Sequence, residues 1–406
     1  MNPKEVLDFA KDKYFTAWNH YVQRQGDPIL ALGPTWANNN ITSVTQNWLA
    51  QSKDAIELIL RAQDTHMYTS YIPVDGRNDV IGPNVDWQLE RLNYDYFTEP
   101  EEIQEWEHTR QEHVAVRKGR RLTSYMLRLL AIAHSVSTAM PIKGSKILEL
   151  GAGCGHQARY MMLKGCKQYV IVDIPETLCY SFSLLKMSFP NKKVVFAANE
   201  GDITDDFDIL LLPTVHLHKM HGKNFDLFIN TASMGEMNNT IVRHYFDFVQ
   251  NKANFKYLYT LNRFLNYGRR PDENECSVLY DNKWEMLKWQ LEPEFCRCPY
   301  LDSFHSRYVE ILAKRIPTSL PASIAERLVQ EVALEDWCRH PWSHPRYHYL
   351  DADLGMTGTL FKLWEALRIN PTKRAYELMC QFIEVYKPGI ELEEYDYYVR
   401  KRRETN

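Results

Sequence analysis

From Leu122 onward, apolar residues fall at Tyr125, Met126, Leu129, Leu130, Ala133 and Val136, the three-four spacing of a helix with one buried face. Pro141 and Gly144 end it. The region that contains it, residues 1–140, has a helical, Trp-rich and polar texture. After it the grammar changes. Short apolar runs at Lys146 to Leu150, Tyr169 to Val172, Val194 to Ala197, Phe225 to Ile229, Tyr257 to Leu261 and Tyr308 to Leu312 read as strands, with helical patterns between most of them. One of these helices is predicted to open at Pro175 and Glu176, where proline suits the first turn and an acid suits the dipole, and to stop before Pro190. Such alternation predicts an α/β fold with a largely parallel sheet. Beyond residue 316 the string PTSLP reads as a linker, and Leu360, Leu363, Trp364, Leu367, Tyr376, Met379, Cys380 and Ile383 restore a helical period. Three parts are expected: a helical region at 1–140, an α/β domain at 141–316 and a helical region at 317–406.

With 406 residues the chain is long enough for two or three cores, and 45% hydrophobic against 25% charged residues is ordinary for a globular protein. A formal net charge of -4 argues against a general nucleic-acid or anionic-membrane field. The eight cysteines lack CxxC pairing and are expected to be reduced thiols. The charged start MNPKEVLDFAKDK is unlike a secretion signal, and no run approaches the ~18 apolar residues of a spanning helix, so a cytoplasmic protein without membrane insertion is expected.

The segment KILELGAGCG places Gly151, Gly153 and Gly155 after an apolar strand and before a helix-compatible stretch from His156 to Lys164. Glycine permits the tight turn and lets a ligand approach backbone amides. Asp173 closes the next strand, where a carboxylate can accept both ribose hydroxyls, and the pair points to an adenosine-containing ligand. A dinucleotide-binding turn runs G-x-G-x-x-G toward a pyrophosphate, whereas this one runs G-x-G-x-G behind Glu149. An acid pointing into the site disfavours phosphate and suits an amino group and a sulfonium, so S-adenosylmethionine is expected rather than NAD. Glu149, Gly151, Ala152, Gly153, Gly155, Asp173, Ile174, Asp202, Ile203 and Asn230 are the candidate cofactor residues, with Asp202, after the third strand, as the partner of the adenine amino group.

ELGAGCG, then VDIPETL at Val172 to Leu178, DILLLP at Asp208 to Pro213, FDLFINTASMGEM at Phe225 to Met237 and LNR at Leu261 to Arg263 resemble, in order and spacing, the sugar O-methyltransferase family over residues 145–314. The resemblance implies a Rossmann-like class I methyltransferase fold with a seven-stranded, mostly parallel sheet whose last hairpin strand is antiparallel. It also implies a carbohydrate hydroxyl, free or in a glycoconjugate, as acceptor, and release of S-adenosylhomocysteine.

Ligands of open α/β sheets lie beyond the carboxyl ends of the strands, which directs attention to Asn230 to Glu236. Methyl transfer to a hydroxyl needs positioning and the loss of a proton, so Glu236 is the first candidate base, with Asn230 and Ser233 as orienting groups. The alternative for Glu236 is a helix-entry acid. His216, His218 and His221 cluster nearby, and alternation puts the first two on one face of an extended segment, where His216 is a second candidate base. A solvated or structural role and a metal site are the alternatives, and no metal is assigned.

Tyr160 and Lys164 spell a reductase pair on the wrong helix, and Pro341 and Pro345 break the spacing of His340, His344 and His348. Tyr94, Tyr96, Phe97 and Trp106, and Trp284 with Trp289, either stack on sugar rings or fill interdomain core. The basic runs at Arg117 to Arg121 and Arg400 to Arg403 suggest solvated faces, with a phosphate contact as alternative for the first. The N-terminal helices are expected to lid the acceptor site. An NAD-dependent sugar oxidoreductase and a non-catalytic cofactor-binding scaffold in glycan assembly are the rival readings.

Overall fold

The first helix, α1 (Pro3–Gln23), begins where Asn2 and Glu5 form a reciprocal capping box with Pro3 at the first helical position. The computed structural model describes residues 1–24, 27, 40–63, 81–92, 94–263, 280–291, 308–334, 359 and 361–386. Three further helices follow: α2 (Ile41–Gln51), α3 (Ala55–Gln63) and α4 (Ile81–Arg91). A short hairpin of β1 (Ala115–Arg117) and β2 (Arg120–Leu122) leads into α5 (Ser124–Ser137), capped by Thr123, whose hydroxyl accepts from Met126 N at 3.0 Å. Helix α5 is the helix read from the Leu122 to Val136 spacing.

The sheet then begins. Its elements in order are β3 (Lys146–Leu150), α6 (His156–Leu163), β4 (Gln168–Asp173), α7 (Pro175–Ser188), β5 (Val194–Phe196), β6 (Ile209–Pro213), β7 (Asn224–Thr231), α8 (Asn239–Asp247), β8 (Asn254–Arg263), β9 (Trp284–Leu291) and β10 (Tyr308–Arg315). Two helices, α9 (Ala322–Leu334) and α10 (Lys373–Tyr386), and a helical stretch at 361–369 complete the described chain.

Among the described residues, eight strands form one sheet in the order β5-β6-β4-β3-β7-β8-β10-β9. All neighbours pair in parallel except β10, which is antiparallel to both β8 and β9. The antiparallel last strand agrees with expectation, while the count of seven is corrected to eight. The expected third strand is corrected too: Val194 to Ala197 does not neighbour β4, because β6 stands between them. The run ILLLP is buried at every position, as an interior parallel strand requires. Its join to β5 contains only a 3-10 turn, Glu200–Asp202, so no helical period announces the crossover. Strand β9 escaped notice because it is an edge strand whose apolar residues alternate with Glu285 and Lys288.

Both faces of the sheet are buried. Ile147, Tyr169 and Ile171 point into a core shared with α1 to α3 and α5 to α7, and Leu148, Val170 and Val172 into one shared with α8, α9, 361–369 and α10. Helix α7 explains the place of the N-terminal helices. Every residue from Pro175 to Leu185 is buried, so this helix is covered on its outer side as well as against the sheet. Helices α1 and α2 provide that cover: Phe9 stacks on Phe182 at 5.0 Å, Tyr180 donates to Thr45 at 3.0 Å, and Trp48 meets the Tyr180 ring edge-on at 6.0 Å. The described N-terminal helices therefore share one apolar core with the sheet.

The aromatic residues proposed for sugar stacking are mostly interior. Tyr96, Trp106 and Trp284 are almost wholly buried, Tyr94 stacks on His134, and Arg315 lies over the Trp284 ring. The Arg117 to Arg121 run forms the hairpin and its supports, Arg117 pairing with Asp86 while Arg120 and Arg121 donate to the carbonyls of Glu99 and Thr109. Tyr160 is buried in α6, and Lys164 pairs with Glu99. Among the described cysteines, Cys154, Cys166, Cys179 and Cys380 are free thiols. The other four cysteines, the His340 to His348 series and Arg400 to Arg403 lie outside the described residues.

Candidate functional site at the carboxyl edge of the sheet

The turn after β3 carries Gly151, Gly153 and Gly155 at φ of +72°, +57° and +80°, a region that L side chains rarely adopt. At Gly151 space adds a second constraint, since a Cβ there would stand 2.1 Å from Ser233 Oγ and 2.4 Å from its Cβ. The turn is tied to its neighbours on three sides. Gly151 N donates to Val172 O at 2.9 Å, Ser181 Oγ on α7 donates to Gly153 O at 2.6 Å, and Gly153 N donates to Asp173 Oδ2 at 3.0 Å.

Asp173 ends β4, 9% exposed, and its other oxygen accepts from Ile174 N at 2.8 Å. Burial raises its pKa to about 6; hydrogen bonds from Ile174, Thr177 and Gly153 pull against that rise and nearby Glu176 adds to it. An ionised carboxylate offers about four lone-pair sites, so acceptor capacity for a ligand hydroxyl remains after the bonds from Gly153, Ile174 and Thr177. Ile174 is half-buried beside it, at the N-cap of α7.

Glu149 is placed differently from expectation. It is 1% exposed, on the strand beneath the turn, with its Oε2 accepting from Tyr169 OH at 2.8 Å. Burial pushes its pKa up to about 8, against the Tyr169 hydrogen bond and with a contribution from Asp173. Its influence on a ligand is that of a buried acid under the loop rather than a charge standing in the site.

Asn230 and Ser233 brace the same turn from β7. Asn230 is fully buried: its amide nitrogen donates to Leu150 O at 2.8 Å and Ser233 Oγ at 2.6 Å, and its Oδ1 accepts from Asn262 at 2.8 Å. Both atoms of the amide thus face protein. The chain turns sharply here through Ala232, a non-glycine at φ +61°. Glu236 follows, half-buried, at the end of a 3-10 turn, Met234–Glu236. The helix-entry role falls to Asn238, whose side chain accepts from Ile241 N at 3.0 Å.

His216 lies elsewhere. Residues Thr214–Met220 form a 3-10 helix, not an extended segment, so His216 and His218 do not share a face. His216 is buried, its Nε2 3.2 Å from Ala198 O and its ring 6.0 Å from that of His20 on α1, and burial lowers its pKa. His218 is exposed and pairs with Glu200 at 3.1 Å. The segment follows β6, so β4 and β3 separate His216 from the turn that carries Glu236. No group of three His, Cys, Asp or Glu able to hold a metal occurs among the described residues.

Asp202 and Ile203 lie beyond β5, one strand farther from β4 than the sequence alone implied. Asp202 pairs with Lys13 of α1 at 2.8 Å and accepts from Asn199 N, while Ile203 packs on the core of the opposite sheet face. The residues that sequence reasoning missed are on α1. Tyr21 is half-buried within electrostatic reach of Glu176 and Asp173, and Thr42 of α2 donates to Glu176 at 2.8 Å. The periodicity of α1 contained the signal: Ala10, Tyr14 and Ala17 are buried, and Tyr21 is the next position on that face.

No family model and no curated protein matches the sequence. Solved structures do match in shape. A SAM-dependent methyltransferase from Aquifex aeolicus is 12% identical, the match covering 47% of this chain and 92% of that one at a TM-score of 0.32. A Thermoplasma acidophilum protein is 14% identical, with 48% and 93% covered and a TM-score of 0.30. A small RNA methyltransferase is 11% identical, with 47% and 25% covered and a TM-score of 0.32. Likenesses this distant decide neither activity nor acceptor. The sheet order is decisive about fold: a dinucleotide-binding sheet runs 3-2-1-4-5-6, whereas here the last strand enters antiparallel between β8 and β9. The chain has a Rossmann-like α/β fold whose last strand is antiparallel, as the sequence resemblance implied.

Proposed function

We propose that the protein is an S-adenosylmethionine-dependent O-methyltransferase acting on a hydroxyl of a sugar or glycoconjugate. The observation that carries the donor half is the joint between the glycine turn and the acid of the next strand, Gly153 N to Asp173 Oδ2 at 3.0 Å. That bond fixes a carboxylate with free acceptor capacity beside a turn whose backbone a ligand can approach. The residues fit the group: Asp173 takes the ribose, Ile174 flanks the base, and the turn from Gly151 to Gly155 faces the amino-acid portion. When bound, the donor supplies a sulfonium-activated methyl group.

Glu236 is the carboxylate at the neighbouring strand end and takes the proton that the acceptor hydroxyl loses. Asn230 and Ser233 hold the β7 turn against the β3 turn, which keeps donor and base in one frame. His216, hydrogen-bonded to the Ala198 carbonyl and separated from the β7 turn by two strands, is not assigned the base role in this reading. The carbohydrate acceptor rests on the motif resemblance, and the modest negative charge speaks against a polyanionic acceptor.

The test is formation of S-adenosylhomocysteine by purified protein with a panel of monosaccharides, nucleotide sugars and oligosaccharides. Turnover with a hydroxylated sugar is expected. Tight binding of S-adenosylhomocysteine without turnover on any sugar would remove the acceptor assignment and leave the donor assignment standing.

A further inference from the structure

Helix α1 runs alongside α7 in the opposite sense: Phe9 stacks on Phe182, and the far end of α1 is fastened to loops at the carboxyl edge of the sheet, where α7 begins. At ~1.5 Å rise per residue, Tyr21 lies ~18 Å along α1 from Phe9, whereas the start of α7 lies only ~10 Å from Phe182. Helix α1 therefore overhangs the N-terminus of α7 and reaches across the carboxyl edge of the sheet. It is fastened to the loops there. Lys13 pairs with Asp202 at 2.8 Å, His20 Nε2 meets Asn199 Oδ1 at 2.8 Å, and Arg24 Nη1 donates to Val215 O at 3.5 Å.

Tyr21 lies between the last two of these anchors and continues the buried stripe of Ala10, Tyr14 and Ala17 past the end of α7. Its hydroxyl makes no hydrogen bond to the described residues and is within electrostatic reach of Asp173, Glu176 and Tyr245. Tyr245 comes from α8, on the other face of the sheet, so the two phenols approach the end of β4 from opposite sides.

We propose that α1 is a wall of the methyl-donor site and that Tyr21 contacts the nucleoside gripped by Asp173, its hydroxyl donating to that ligand. The inference rests on the donor reading above and extends it: the N-terminal helix, expected to cover the acceptor, closes over the donor. Because α1 is bound to both the β5 and β6 loops, loosening these anchors should ease entry and release of the nucleoside.

The experiment is calorimetric titration of the full chain with S-adenosylhomocysteine and with adenosine, on wild type, Tyr21→Phe and Tyr21→Ala. Tyr21→Phe removes one hydrogen bond and should weaken both ligands by the same factor, ~5-fold, with Tyr21→Ala weaker still. Amide exchange over residues 13–24 of the wild type should slow when S-adenosylhomocysteine is added, a measurement that no folding defect can imitate. Lys13→Ala, which leaves Tyr21 in place, should speed release of S-adenosylhomocysteine. If wild type binds S-adenosylhomocysteine, protection appears only around the glycine turn and Asp173, and Tyr21→Phe binds like wild type, α1 is not part of the site. If wild type binds neither ligand, the donor reading itself is wrong.

Discussion

The backbone N–H of Gly153 donates to Oδ2 of Asp173 across 3.0 Å, so the turn after the first strand of the α/β core and the acid after the second are one unit. A ligand that touches one is held in register with the other. Replacing this acid by an amide leaves a backbone acceptor but removes the charge that ribose hydroxyls meet. Hydrogen bonds to charged groups contribute roughly 1.5–3 kcal/mol, so Asp173→Asn should weaken S-adenosylhomocysteine about 10- to 150-fold. Calorimetry decides, and unchanged affinity would remove Asp173 from the ribose.

Gly151→Ala should destabilise the fold. The new methyl collides with Ser233 and the backbone must hold φ near +72° with a side chain. Overpacking costs about 1–3 kcal/mol and the left-handed conformation about 1–2 more. Adding Ser233→Gly relieves only the collision, so the double variant should recover part of the loss in urea melts. Strict additivity of the two changes would mean that Ser233 does not press on the turn.

The buried acid under the turn sets a pH dependence. In the unfolded chain Glu149 loses its proton near pH 4.3, and in the folded chain near about 8. Between those values the folded state keeps a proton that the unfolded state has released, so its contribution to stability is complete at low pH and is lost as pH rises through 8. Asp173, raised to about 6, acts in the same direction. Glu149→Gln keeps an acceptor for Tyr169 and removes the titration. Relative to wild type, the variant should gain more than about 1.4 kcal/mol between pH 5.5 and 8.5, read from urea midpoints. Parallel profiles would show that Glu149 is ionised throughout.

Glu236→Gln should separate chemistry from binding. Loss of a general base typically lowers turnover ~10²- to 10⁴-fold, while S-adenosylhomocysteine affinity should stay within about twofold. Full turnover in this variant would return Glu236 to a structural role.

Several features were legible in the residues alone. The helix at Leu122 to Val136, the glycine turn, the acid ending the next strand and the cap at Pro175 are local, set by spacing and backbone geometry. The place of β6 was not readable, because the join from β5 lacks the helix that normally marks a parallel crossover, and Asp202 was in consequence put one strand too near the ribose.

The sequence by itself determined that an α/β core begins near Lys146 and that Gly151 to Gly155 and Asp173 lie at adjacent strand ends, since periods of two and 3.6 and positive-φ glycines are properties of the local chain. Only the tertiary structure decided that Glu149 is buried and pushed toward its neutral form, that the Asn230 amide faces protein, and that α1 overhangs the carboxyl edge. Burial, charge state and reach depend on which distant segments pack together, and no local pattern encodes that.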